Sequence, residues 1–180
     1  MKKNVLKVLA LLMVVISFSC SNDDDGGSDN VELTGTWKLT ALNAIETYDL
    51  NNDGSASINL LNEMNCLTNE TLVFSDTNVV TANSTSYVDI YAELETGSTT
   101  DYDYTVECES EVYSDPATYV RNGNSVTITI QDDEDEDEVL VGIISGNTFS
   151  FVVPESLYIE NLDNFDEDIE QDVTYVFTKQ

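Results

Sequence analysis

The sequence predicts an all-β domain, an antiparallel up-and-down meander with at most one or two short helices. Runs rich in β-branched and aromatic residues recur from Val31 onward at short, even spacing, and clusters of Asn, Asp, Gly and Ser separate them. No long stretch follows a helical period. In Val126-Thr127-Ile128-Thr129-Ile130 the apolar residues fall on alternate positions, the mark of a strand with one buried and one wet face, and the same alternation surrounds Trp37 and Leu39.

Taken in order, the expected strands cover residues 36–42, 71–75, 79–82, 87–91, 102–107, 118–121, 125–130, 139–144, 148–153 and 173–178. Asn122-Gly123-Asn124 and Ser145-Gly146-Asn147 sit between strands and supply residues that tolerate positive φ, so each is expected to be a hairpin turn. Two short segments have helical potential. One spans residues 58–66; the other spans 161–172, where Leu162, Phe165 and Ile169 are spaced three and four apart and would lay an apolar stripe on the sheet.

Charge and composition remove whole classes of function. The 180 residues carry 35 Asp and Glu against 6 Lys and Arg, a formal charge of -29, and no His. Such a chain repels nucleic-acid phosphate and anionic headgroups, so nucleic acid is not an expected partner. Without an imidazole, Ser-His and Cys-His hydrolysis and His-liganded metal sites have no residue to work with. A hydrophobic content of 41% and nine Tyr residues exceed what a disordered acidic chain carries, so one folded domain is expected.

The domain is preceded by an address. Lys2, Lys3 and Lys7 flank and enter an apolar stretch over residues 5–18 that is too short to span a bilayer, the pattern of a secretory signal. Ser17-Phe18-Ser19-Cys20 resembles the lipobox of bacterial lipoproteins, with Ser17 where Leu is commonest. That resemblance implies a signal peptide over residues 1–19, cleavage before Cys20, and acyl chains on Cys20 that hold the protein on a lipid bilayer. Residues 20–31 then form a polar, acidic, flexible tether, and the domain follows over 32–180. Asp23-Asp24-Asp25 just after Cys20 also resembles the surface-export signal of lipoproteins in one group of Gram-negative bacteria, which implies an outer-membrane location facing the cell exterior. With the address removed, three Lys and Arg stand against all 35 acids, a charge of -32.

Leu33-Thr34-Gly35-Thr36-Trp37-Lys38-Leu39 places a Gly-x-Trp at the first strand, and the chain closes on Thr174-Tyr175-Val176-Phe177-Thr178-Lys179, an aromatic last strand. Together these resemble the lipocalin-like domains of bacterial lipoproteins. The resemblance implies that the meander closes into a lipocalin-like β-barrel, that the first strand pairs with the last, and that Trp37 packs across the closed end. It further implies a basic residue against Trp37, either Arg121 or Lys179, and an opposite mouth that admits a small hydrophobic ligand.

Chemistry-bearing residues are few. Cys66 and Cys108 remain once Cys20 is lipidated, and in an oxidising compartment a disulfide between them is expected. With no His in the chain and no Lys or Arg near either in sequence, nothing would lower a thiol pKa, which argues against a redox or nucleophilic role. Asp49-Leu50-Asn51-Asn52-Asp53-Gly54-Ser55 matches the opening D-x-[DN]-x-[DN]-G of a calcium loop, with side-chain oxygens of Asp49, Asn51 and Asp53 and the backbone carbonyl of Ser55 as candidate ligands. Leu60 occupies the position of the closing bidentate Glu, so Glu63, Asn62 or Glu46 would have to complete the set; Glu63 is the expected choice, and Ca²⁺ the expected ion. The competing reading is a solvated Asx-rich turn.

Seven consecutive carboxylates over residues 132–138 are expected to form a solvated hairpin tip, at most a weak cation sink. Carboxylate pairs occur everywhere in so acidic a chain and therefore single out no glycosidase, and no Gly-rich phosphate loop, nucleophile elbow or Cys-x-x-Cys is present, so no enzyme activity is expected. Two functions remain: an anchored lipocalin-like module that binds a small apolar ligand, or a calcium-stabilised surface protein with structural or interaction duties and no ligand pocket.

Overall fold

The computed structural model describes residues 31–131, 137–164 and 167–180. The strands are β1 (Gly35–Tyr48), β2 (Ser57–Asn59), β3 (Thr71–Phe74), β4 (Val79–Ser84), β5 (Tyr87–Leu94), β6 (Tyr102–Glu109), β7 (Tyr113–Asn122), β8 (Ser125–Ile130), β9 (Glu138–Ser145), β10 (Thr148–Asn161) and β11 (Ile169–Lys179). Each of the ten expected strands is present. β2 was not expected; it is three residues long and too short for a periodic signal.

Strands β1, β3, β4, β7, β8, β9, β10 and β11 pair antiparallel in that order, and β11 pairs back onto β1, which closes an eight-stranded up-and-down barrel. The closure is consistent with a lipocalin-like fold and leaves no open sheet edge around the ring. Both expected hairpin turns form. Asn122 pairs with Ser125 and Ser145 with Thr148, leaving two-residue connections in which Gly123 and Gly146 have φ of 61° and 56°.

Several strands run longer than their apolar patterns suggest, β1 and β10 by the most. β1 pairs with β3 only over Gly35–Lys38 and then, past a register shift between Leu39 and Ala41 on its β11 side, exchanges β3 for β2. β10 passes through an irregularity between Val153 and Leu157, where Pro154 has no N–H to give the ladder and Glu155 has φ of 51°. Beyond it the end of β10 pairs with β11 on one side and, through Glu160 and Asn161, with β5 in parallel on the other. The β5–β6 hairpin is therefore inserted between β4 and β7 in sequence but is seated on the end of β10.

Neither helical expectation holds as stated. Within 58–66, Ile58 belongs to β2 and only Leu60–Asn62 winds, as one 3-10 turn; the Asn59 side chain accepts from the backbone N–H groups of Leu42 and Leu61 and so starts that turn while pinning it to β1. Within 161–172, Asn161 ends β10 and Ile169 begins β11. Asn161 Oδ1 accepts from the N–H groups of Asp163 and Asn164, a local turn that competes with helix; Phe165 lies outside the described residues. Of the acidic run, Glu138 is in β9 opposite Ile130, and residues 132–136 lie outside the described residues.

Inward side chains fill one end of the barrel. Trp37, Phe149 and Val126 are fully buried and Phe74 is nearly so. Phe74 and Phe149 meet the Trp37 ring edge-on at centroid distances of 6.4 and 6.2 Å, and Phe74 meets Phe149 at 5.6 Å and Tyr119 at 5.1 Å. Gly142 of β9 makes room for this cluster, because a Cβ there would stand 2.3 Å from the Phe149 ring.

Candidate functional site

The Trp37 end is sealed. The indole N–H donates to the Leu33 carbonyl at 2.7 Å, and Lys179 Nζ lies 5.8 Å from the ring centroid while also donating to the Glu32 carbonyl. Of the two basic residues named from sequence, Lys179 is the one against Trp37. Arg121 instead ties the entering chain, donating from its guanidinium to the carbonyls of Val31 and Gly123, each at 2.7 Å.

The opposite mouth is open and roofed. One cavity of about 200 Å³ lies inside the mouth among Leu39, Leu72, Phe151 and Phe177. A second, of about 280 Å³, lies between the barrel wall at Leu42, Leu157 and Val173 and the β5 strand at Val88 and Ile90. Leu67, Tyr113 and Tyr175 line both, so the two adjoin along one cleft at the mouth. Each is smaller than the roughly 300 Å³ of the smallest usual ligand sites. Tyr175 stacks on Phe151 at a centroid distance of 5.6 Å, and burial raises its phenol above the ordinary range. The charged residues lining the two cavities are Asp89, Glu160 and the buried Glu70, all acidic.

The roof is held by four different ties. The Cys66–Cys108 disulfide forms as expected, with Cα atoms 5.5 Å apart, and links the turn after Leu60–Asn62 to β6. Asn52 uses its side chain as a strand residue uses its backbone, donating to the Tyr104 carbonyl at 2.8 Å and accepting from the Tyr104 N–H at 3.0 Å. Tyr48 meets Tyr104 edge-on at 6.1 Å, and burial drives the Tyr48 phenol up to about 12. At the far end of β5, Leu94 N–H donates to Asp163 and Leu162 N–H to the Ala92 carbonyl. Sequence reading missed Asn52 because it sits at a variable position of the loop motif, and missed the roof because strand periodicity does not say which sheet a strand joins.

The Asp49 loop is compact and self-bonded. Asp49 accepts from the N–H groups of Asp53 and Gly54 at 2.9 and 2.7 Å, Asn51 Oδ1 accepts from Asp53 N–H, and Asp53 Oδ1 accepts from Ser55 N–H. Gly54 has φ of 87°, which the reversal requires. Glu63 faces this loop: burial, followed by the charges of Asp53 and Asp49, raises its carboxyl above the usual range, against the backbone of Asn51 and Leu50, which acts to lower it. Its residue is only 5% exposed, and its Oε2 has no hydrogen-bond partner. Of the sequence candidates, Glu63 thus joins the loop, whereas Asn62 donates to Ser57 Oγ at the side of β2. Among the described residues no three or more His, Cys, Asp and Glu side chains by themselves gather into a metal cage. Cys20 lies outside the described residues.

Compared with known proteins, the chain matches no family model, no curated protein and no solved structure.

Proposed function

We propose that this protein is a lipid-anchored, non-enzymatic binding module of the cell surface whose barrel mouth holds a small apolar or amphipathic molecule. The observation that carries the reading is the pair of adjoining cavities at the barrel mouth, lined mainly by apolar and aromatic side chains, with acidic residues as the only charged groups in the lining. Apolar walls supply affinity by burial, and acidic lining residues on a strongly negative domain select against anions. The ligand class is therefore neutral or cationic. The lipobox-like segment ending at Cys20, the acidic tether over residues 20–31 and the domain over 32–180 support an outer-membrane anchor that presents this mouth to the cell exterior.

The test is fluorescence titration of the purified full chain with a neutral naphthylamine probe and its anionic sulfonate counterpart. Saturable binding of the neutral probe, stronger than that of the anion and lost on filling the cleft with Val88→Trp, supports the reading. No saturable binding of the neutral probe overturns it.

A second reading, a calcium-stabilised surface protein with structural or interaction duties and no ligand, has its own support in the covered carboxylate of Glu63 beside the Asp49 loop.

A further inference from the structure

We infer that Asp49, Asn51, Asp53, Glu63 and the Ser55 carbonyl form a Ca²⁺ site that fastens the β1–β2 loop to the β5–β6 roof. The inference rests on the second reading in taking calcium as the ion, and it holds whether or not the cleft takes a ligand.

The argument begins with a carboxylate that lacks a counterpart. Glu63 is covered from solvent, its Oε2 accepts no hydrogen bond, and the two charges that act on it, Asp53 and Asp49, are both negative. A covered anion held against two others calls for a cation, since burial without pairing is costly. The chain delivers Glu63 there by design of its local folds: β2 lies along β1, the 3-10 turn reverses the chain, and Glu63 N–H closes that turn on the Leu60 carbonyl.

The donor set fits a hard cation. No three acidic side chains gather into a cage among the described residues, so the set depends on the amide oxygen of Asn51 and the backbone carbonyl of Ser55, neutral oxygens of the kind that calcium sites of six to eight oxygens use. The N–H groups of Asp53, Gly54 and Ser55 donate to these acidic and amide oxygens and so hold the side chains in place, as hydrogen bonds around a metal site hold its ligands. Absence of His and a free thiol in the set excludes the softer transition metals as the preferred ion.

The site also has a mechanical consequence. Asn52 lies between ligands Asn51 and Asp53, and its side chain is what binds β6 at Tyr104. Fixing the loop on an ion therefore fixes the pair of hydrogen bonds that seats the roof over the cleft.

The experiment uses the purified full chain with Ca²⁺, Mg²⁺ and Tb³⁺ as probes, reading melting temperature, Tyr-sensitised Tb³⁺ luminescence and amide exchange at Tyr104. Ca²⁺ is expected to raise the melting temperature with a Kd of about 10⁻⁴–10⁻³ M, the range of extracellular modules, with Mg²⁺ much weaker. Tb³⁺ should luminesce through the adjacent Tyr48 and Tyr104, and Tyr104 N–H should exchange more slowly with Ca²⁺ present. Glu63→Gln keeps the shape of the side chain and should weaken Ca²⁺ about tenfold or more, as should Asp49→Asn, while Asp115→Asn on β7 should not. A Ca²⁺ shift that survives both Glu63→Gln and Asp49→Asn overturns this site while leaving calcium stabilisation standing. No Ca²⁺ shift and no luminescence in the unaltered chain overturns the site and the second reading together.

Discussion

The two ends of the barrel are held by different physics. At the Trp37 end, the buried rings of Trp37, Phe74 and Phe149 meet edge-on, and one lysine and one arginine tie the entering chain to it. At the mouth, the cleft leaves apolar walls incompletely filled, and the roof is kept in place by a disulfide, one asparagine side chain, a short parallel pairing and the Asp49 loop. A packed end loses stability with any change of volume. A tied end can lose one tie and still keep its fold, at the expense of local order, and this is the end where a ligand site tolerates open space.

Substituting the centre of the packed end should have the largest effect. Trp37→Ala removes a fully buried ring and its hydrogen bond to Leu33, and is expected to lower stability by about 3–5 kcal/mol, measured by denaturant unfolding. At the mouth, Cys66→Ala with Cys108→Ala should lower stability by about 2–4 kcal/mol and speed amide exchange in β5 and β6, while leaving Trp37 fluorescence unchanged. If the double variant perturbs Trp37 as much as the roof, the two ends are not independent. Gly142→Ala should lower stability by about 1–3 kcal/mol, because its methyl meets the Phe149 ring, and Phe149→Leu in the same chain should recover part of that loss.

The smallest expected effect is electrostatic and lies on the outer side of β10. The Tyr158 hydroxyl donates to Asp168 at 2.6 Å and Asn161 N–H donates to the same carboxylate at 2.9 Å, which together hold the Asp168 carboxyl below its usual range. A carboxyl lowered on folding adds stability above its unfolded pKa and loses it as pH falls through its folded value. The gap between wild type and Tyr158→Phe should therefore be full at neutral pH and close on acidification; a gap independent of pH would assign the effect to packing alone.

How far the sequence carried the structure can be seen from single residues. Alternation in the 125–130 segment specified β8, with Val126 and Ile128 buried, and Gly123 and Gly146 specified their turns, because each signal is local and the backbone must obey it. The first-to-last pairing was legible only through resemblance at Trp37 and the 174–179 segment. The disulfide followed from there being two cysteines once Cys20 is set aside. What could not be read was long-range. Nothing near Pro154 says that the strand resumes at Leu157, and nothing in β5 says that it pairs parallel with Glu160 and Asn161. The acidic segment over 161–172 carried a helical spacing of apolar residues, but Asn161 and Asp168 made turn bonds instead. Of the candidate metal ligands, the loop residues were visible as a motif, whereas the covered state of Glu63 depends on the 3-10 turn that brings it back.

The measurement that tests the contrast between the ends most directly is chemical-shift mapping of the isotopically labelled chain during addition of a neutral apolar probe. Shifts confined to Leu67, Val88, Leu157 and Tyr175, with the Trp37 indole N–H unmoved, are the predicted result. Shifts centred on Trp37, or spread evenly over the barrel with none at the cleft, would contradict the account.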